Sequence, residues 1–221
     1  MALCSLPSSP LNPALVSSYS VLERASDSAE ALFQAFETVR NVRGAKGTAT
    51  DHEQDLLRAA FVFASAGLDS MVKQLVRDTL HLVIAKDPGA QAQFAGYVQS
   101  RLRRADQIDL RFLAETLAAP TITAHLKSEL VKDLTSGSLQ SKDELLRVAA
   151  YFAIRADEVT KDPKELQTVF HARNQIAHEM DILLGQTNRG RRQRKRSTMR
   201  NYTSVVLSAA VSFYSAVEKR L

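Results

Sequence analysis

A long run of apolar residues at helical spacing, from about His52 to Ile84, limits most strongly how this chain can fold. Its members recur every three, four or seven residues, the spacing of one helix face: Leu56, Ala60, Phe63, Gly67, Met71, Leu75 and Leu82. Ala and Leu outweigh the β-branched residues in most segments, Trp is absent, and only eight Gly and six Pro occur. This balance favours helices over a sandwich or barrel. We therefore predict an all-α fold with essentially no sheet.

Helix-breaking residues divide the rest of the chain into further helices. Three prolines among the first 13 residues predict an irregular start, and Thr50 or Asp51 is expected to cap the long helix. The other predicted helices cover residues 15–43, 90–104, 110–118, 122–134, 143–159, 163–184 and 198–219. We divide the chain into residues 1–49, an irregular lead-in and a helix, and residues 50–221, the main domain.

Several classes of protein are disfavoured by the sequence. The unbroken apolar stretches fall far short of the ~20 residues that a membrane span needs. The first residues lack the basic start and apolar run of a signal peptide. A single cysteine, Cys4, leaves no internal disulfide and no cysteine-based zinc site. We expect a cytoplasmic protein that needs no membrane, no metal and no cofactor.

The positive charge of the chain is concentrated in one segment. Residues 189–200, RGRRQRKRSTMR, hold seven of the 29 basic residues and no acidic one. The remainder carries 22 basic and 24 acidic residues, so it is close to neutral. A near-neutral domain with one basic segment favours a polyanionic partner, although a solvated run of charges has the same composition.

The residues that can support chemistry lie in the helix predicted over 163–184, in the stretch HARNQIAHEMD. Asn174 and His178 are four residues apart and share a face. Arg173 precedes His178 by five residues, so the two side chains diverge by ~140° around the axis. The long arginine side chain can still reach a common groove, and a second copy of the helix would make convergence easier.

Arginine and histidine side by side suit cleavage of RNA. The ribose 2′-hydroxyl already lies beside the scissile phosphate, histidine transfers protons near neutral pH, and arginine stabilises charge on phosphate oxygens. Asn174 could orient the imidazole or hold a phosphate. Taken alone, one Arg and one His on a helix are more often structural or solvated. A zinc site that used His171 with His178 would need further ligands.

Arg173-Asn174-x-x-x-His178 resembles the motif of the HEPN family, in which Arg and a following polar residue precede His by a short spacer. The context is also similar, because a basic loop and a closing amphipathic helix follow the motif. Residues 58–69, RAAFVFASAGLD, resemble the long early helix of HEPN proteins of the RiboL-PSP-HEPN kind. The resemblance covers about residues 50–220.

This resemblance implies a HEPN-type helical bundle with additional helices. It also implies a homodimer whose motif helices face each other, and a metal-independent endoribonuclease of toxin or antiviral-defence systems that cuts RNA by 2′-hydroxyl attack at a composite site. An antitoxin or another regulatory protein is an expected partner. HEPN toxins that are modified by a nucleotidyltransferase antitoxin have Tyr two residues after the motif His; this chain has Met180, which argues against that control.

The resemblance assigns catalysis to Arg173, Asn174 and His178. Asp69 could support the site by pairing with Arg173 or lining its cleft, or it could be a partly exposed acid at a helix turn. Glu179 and Asp181 flank His178 and could raise its pKa, but flanking acids are more commonly solvated. The residues expected to contact RNA phosphates are Arg189, Arg191, Arg192, Arg194, Lys195 and Arg196. The alternative function is a non-catalytic HEPN-fold module that binds RNA or a protein partner in a defence complex.

Overall fold

The fold is all-α, which confirms the prediction from the sequence. The structure is a computed structural model that describes residues 3–104, 107–183, 185 and 190–221. Within them, a 3-10 helix (Pro13–Leu15) precedes the α-helices, and the strands are β1 (Arg103–Arg104) and β2 (Gln107–Ile108), which pair antiparallel. The α-helices are α1 (Val16–Val42), α2 (Asp51–Lys86), α3 (Pro88–Leu102), α4 (Leu110–Ala118), α5 (Ile122–Ser136), α6 (Lys142–Tyr151), α7 (Ala156–Val159), α8 (Pro163–Glu179) and α9 (Arg196–Glu218).

The start of α2 is fixed by a capping box, in which Thr50 is the N-cap. Its hydroxyl accepts a hydrogen bond from the Glu53 backbone N–H, and the Glu53 carboxylate accepts one from the Thr50 N–H at 2.7 Å. The same carboxylate pairs with Arg40 at 3.2 Å and Arg43 at 2.8 Å, at the end of α1. Glu53 therefore connects the end of α1 to the start of α2.

Helix α1 lies along α2 and shares its core, so residues 1–49 and 50–221 contribute to one set of buried side chains. Leu22 and Phe33 of α1 are buried in the same cluster as Leu57 and Leu68 of α2. The two helices are in close contact at Gly67, where an added Cβ would overlap the Cβ of Ala25. A glycine is needed at this crossing because no other side chain fits.

Substitution of Gly67 by alanine should therefore destabilise the protein by about 1–3 kcal/mol through overpacking. A matched control is Gly96 of α3, where an added Cβ meets no atom within 4 Å. Gly96→Ala should stabilise by about 0.5–1 kcal/mol, because alanine is the better helix former. Urea unfolding measures both free energies, and adding Ala25→Gly should restore stability to Gly67→Ala. Equal effects of the two alanine variants would contradict the close contact.

The tripeptide 87–89 both ends α2 and starts α3. The Asp87 N–H donates to the Val83 carbonyl at 2.8 Å, and the Asp87 carboxylate accepts from the Ala90 N–H at 3.0 Å. Pro88 is the first residue of α3, a position where its missing N–H leaves no bond unmade.

The helix predicted over 143–159 is wrong in its second half, because the chain leaves the helix at Phe152. Phe152 is fully buried and meets Phe213 edge-on, with the ring centroids 5.8 Å apart. Ala153 then adopts a left-handed conformation with φ of 54°. Arg220 donates to the Ala153 carbonyl at 2.8 Å and to the Glu158 carboxylate at 3.0 Å. Burial of Phe152 and these bonds stabilise a break that the helical pattern does not reveal.

Helix α2 is the central helix of the core, since α1 and α9 both pack against it. By length and composition α2 would also suit a membrane span, with a mean hydropathy of 1.2 over its most apolar window. However, 56% of that window is buried inside the protein, as in a core helix. Of the predicted apolar stripe, Ala60, Gly67, Met71 and Leu75 are buried, whereas Leu56 and Leu82 are partly buried and Phe63 is 55% exposed. The buried face of α2 is therefore rotated slightly from the predicted one, and Leu57, Phe61, Ala64 and Leu68 belong to it.

Candidate functional site

Helix α8 presents the Arg-Asn-His motif on its outer face. Asp162 caps the helix by accepting hydrogen bonds from the N–H groups of Lys164 and Glu165, each at 2.9 Å. Asn174 and His178 are exposed, whereas Arg173 is half-buried. The buried side chains of the helix lie on the opposite face: Leu166, Val169, Phe170, Ala172 and Ile176. Packing of that face positions the motif at the surface of a regular helix.

The three motif residues converge within one chain, despite their divergence around the helix axis. Nη1 of Arg173 lies 3.1 Å from Nε2 of His178 and 3.1 Å from Oδ1 of Asn174. A guanidinium can only donate, so a hydrogen bond at this contact requires Nε2 of His178 as the acceptor, in a neutral imidazole with its proton on Nδ1. Asn174 thus contacts Arg173, not His178. The length of the arginine side chain makes a second copy unnecessary for this contact.

Arg173 is partly withdrawn from water. Burial lowers the pKa of its guanidinium, and the negative charge of Asp69 partly offsets this effect. Its Nε is buried and has no hydrogen-bond partner within the described part of the chain. A buried donor without an acceptor is costly, so an anionic group that reached this Nε would stabilise the guanidinium.

Asp69 does not form the expected ion pair with Arg173. One carboxylate oxygen pairs with Lys73 at 2.9 Å, and the other accepts from the Leu139 N–H at 2.6 Å. Lys73 lies one turn further along α2, so its ammonium is the nearer cation. Asp69 therefore acts on Arg173 only through its electrostatic field.

Helix α8 ends five residues before the predicted Leu184, because Met180 and Asp181 both adopt left-handed conformations with φ of 51° and 58°. The Asp181 side chain is fully buried, not solvated as expected. It accepts from Arg58 at 3.0 Å and from Arg194 at 2.6 and 2.9 Å. Burial alone would raise the pKa of Asp181, but the hydrogen bonds and charges of Arg194 and Arg58 outweigh it and lower the pKa. This buried ion cluster lies three residues after His178.

The basic segment folds back on the end of α8. Ile182 and Arg191 form an antiparallel bridge, and the Arg192 N–H donates to the Asp181 carbonyl at 2.8 Å. The Arg58 guanidinium, which joins the cluster from α2, donates to the Arg192 carbonyl at 2.9 Å. The end of the motif helix is thereby fixed by two distant segments. Sequence analysis missed this role of Arg58, whose signal was a lone arginine at the start of an apolar run.

Most arginines of the segment expected to contact RNA form ion pairs within the protein. The pairs are Arg191 with Asp55 (2.8 Å), Arg192 with Glu179 (3.5 Å), Arg194 with Asp181 (2.6 Å), Arg196 with Glu37, and Arg200 with Glu30 (3.4 Å). Lys195 is exposed and forms no ion pair with any described residue. Arg189 lies outside the described residues.

The acids and the second histidine near the motif have partners other than His178. Glu179 pairs with Arg192, so its expected influence on the pKa of His178 has no direct contact to support it. His171 contacts the Gln175 amide nitrogen at 3.0 Å, and the Gln175 oxygen accepts from Arg194 at 3.1 Å. No group of three or more His, Cys, Asp or Glu residues with metal-binding geometry occurs among the described residues.

The arrangement can therefore supply an imidazole, a cation that contacts it and an amide that contacts the cation, all at the surface. Compared with known proteins, this chain matches no family model, no curated protein and no solved structure.

Proposed function

We propose that the chain is a metal-independent endoribonuclease of the toxin or antiviral-defence kind, which acts in the cytoplasm through Arg173, Asn174 and His178. The observation that carries this proposal is the 3.1 Å contact between Nη1 of Arg173 and Nε2 of His178. Cleavage by a ribose 2′-hydroxyl needs a proton-transfer group and a cation at the same phosphate. The motif's resemblance to the HEPN family supports the same assignment.

In the proposed reaction, His178 takes the proton of the 2′-hydroxyl. Its Nε2 lone pair is occupied by Arg173 in the resting chain, so the base becomes available when a phosphate attracts the guanidinium. The 2′-oxygen then attacks phosphorus, the bond from phosphorus to the 5′-oxygen breaks, and the leaving oxygen receives a proton from a general acid. Arg173 stabilises the charge on the phosphate oxygens, and Asn174 positions Arg173 through its 3.1 Å hydrogen bond.

We also propose a two-fold homodimer through the outer face of α8, which would place two motifs across one cleft. Beside the motif, Ala177 is exposed and Met180 is 63% exposed, so this face offers apolar surface to a partner. In the dimer, His178 of one chain would act as the base and His178 of its partner as the acid. An antitoxin or regulatory protein that covered the same face would inhibit the enzyme.

Incubation of the purified protein with RNA in EDTA tests the proposed function. Cleavage should proceed, because none of the assigned steps uses a metal. The products should carry a 2′,3′-cyclic phosphate and a 5′-hydroxyl, as end-specific enzymes or mass spectrometry can detect. An RNA with a 2′-deoxy sugar at the cut site should resist. Cleavage that needs Mg²⁺ and leaves a 5′-phosphate would refute the mechanism.

A non-catalytic helical module that binds RNA or a protein partner is the alternative. The observation that favours it is that Arg173 and His178 already satisfy each other within one chain, as a structural pair would. The same incubation distinguishes the two functions, since a binding module would retain RNA on a filter without shortening it.

A further inference from the structure

A cavity of about 680 Å³ lies between the end of α1, the loop before α2 and the residues that lead into α9. Phe36 and Ala49 give it apolar surface, and Thr48, Gln193, Lys195 and Arg196 line it with polar groups. Its volume is in the range of cavities that hold small ligands. The motif residues of α8 do not line it, so it is distinct from the candidate active site.

The walls of the cavity are held in place by side chains that make their hydrogen bonds within the protein. Arg40 donates to the Gly47 carbonyl at 2.7 Å, which fixes the loop before α2. The Gln54 amide donates to the Ala49 carbonyl at 2.8 Å and to Gln193 at 2.7 Å, and accepts from the Arg194 N–H at 2.5 Å. The two walls are thus joined through Gln54, and a ligand would meet a preformed site.

Other polar groups that line the cavity form no hydrogen bond with the described residues. Within the described residues, the Thr48 hydroxyl, the Gln193 amide nitrogen and the Lys195 ammonium have no hydrogen-bond partner. Arg196 pairs with Glu37, the acidic residue of the lining, but its side chain remains 47% exposed and keeps further N–H donors. The cavity therefore offers donors and positive charge beside apolar surface.

We propose that this cavity binds one nucleotide unit of an RNA strand. Its base would lie on the apolar surface near Phe36 and accept hydrogen bonds from Gln193 and Thr48, and its phosphate would bind Lys195 and Arg196. The inference rests on the proposed function, which supplies the strand; a free nucleotide has the same chemistry. The cavity and the motif are connected by Arg194, which lines the cavity and donates to Gln175 of α8 at 3.1 Å, three residues before His178.

The test uses the full chain with His178→Ala, so that RNA stays intact, and fluorescence anisotropy with a short single-stranded RNA. Lys195→Gln should weaken binding roughly fourfold at physiological salt and reduce the log–log salt slope by about 0.7, the loss of one phosphate contact. Gln193→Ala should weaken binding with an unchanged slope, because a neutral hydrogen bond is lost. Lys161→Gln is the matched control, since Lys161 is also exposed and lies outside the cavity.

Two further measurements separate the outcomes. In the first, nucleoside 5′-monophosphates are added to the His178→Ala protein with and without Lys195→Gln. If Lys195→Gln abolishes mononucleotide binding but leaves the RNA affinity unchanged, the cavity binds a free nucleotide and the RNA assignment is overturned. Equal RNA affinity and slope for the Lys195 and Lys161 variants, without mononucleotide binding, would overturn the site altogether. The proposed function fails separately, if RNA binds at the cavity but the protein with an intact His178 does not cleave it.

Discussion

Alanine at His178 should slow RNA cleavage by ~10² to 10⁴-fold, the usual contribution of a positioned proton-transfer group. Alanine at Arg173 should cost a similar ~10² to 10³-fold, because the phosphate oxygens lose a charged donor. Both side chains lie on the outer face of α8, so the helical circular dichroism and the unfolding midpoint should stay close to those of the unchanged protein. The measurement is kcat/KM on a defined RNA in EDTA.

His171→Ala is the matched control for these variants. His171 is exposed on the same helix, but contacts Gln175 instead of the motif. An equal loss of cleavage in His171→Ala would mean that a different set of residues acts on the phosphate.

Mixing the Arg173→Ala and His178→Ala proteins then tests the proposed dimer. Partial recovery of cleavage is expected, because one chain retains the cation and the other the base. Without recovery, each chain would act through its own contact, and the shared site would be excluded.

The second large effect is expected at Asp181, where asparagine should destabilise the protein by about 3–5 kcal/mol. The substitution leaves the partly buried guanidinium of Arg194 without its negative partner and the buried one of Arg58 with only the half-exposed Asp55. Removal of one member of a buried ion pair typically costs this much. Chemical denaturation gives the difference in the free energy of unfolding. Asp157→Asn, which breaks an exposed pair with Arg155, is the control and should have little effect.

The difference in unfolding free energy between the unchanged protein and Asp181→Asn should depend on pH, which tests whether the charge of Asp181 stabilises the fold. The pKa of Asp181 is lower in the folded protein than its ordinary value, so ionised Asp181 stabilises the fold above the ordinary aspartate pKa. That stabilisation is lost as the pH falls through the folded value. The gap between the unchanged protein and Asp181→Asn should therefore be constant near neutral pH and shrink under strongly acidic conditions. A gap that did not change with acidification would mean that the Asp181 charge does not stabilise the cluster.

Local signals were sufficient for most of the helices. The predicted helix over 110–118 matches α4, and the predicted starts of α5 and α8 are confirmed as well. Each lies beside a proline or a capping residue, where the backbone conformation is decided within a few residues. The motif could also be located on a helix from spacing alone.

The breaks that the sequence did not predict depend on distant residues. The chain leaves the helix at Phe152 because the ring is buried against Phe213, and α8 ends early because Asp181 is paired with Arg58. The spacing of apolar residues within one helix does not indicate a distant partner such as Phe213 or Arg58. For Arg173 and His178, the sequence indicated that the long arginine side chain could overcome the angular divergence, but it did not predict that Asn174 would contact Arg173 and not the imidazole.

The ion pairs of the arginines in residues 189–200 should affect the rate at which the protein associates with a polyanion. The chain carries a net charge of +5, and a cluster of free arginines would focus that charge into an attractive field extending about a Debye length. Because Arg191, Arg192 and Arg194 each face a carboxylate, the field is weakened at the segment itself. Capture of a nucleic acid should then depend on close-range fit more than on long-range attraction. The association rate of the protein with nucleic acid should consequently vary less with ionic strength than the run of basic residues in the sequence suggests.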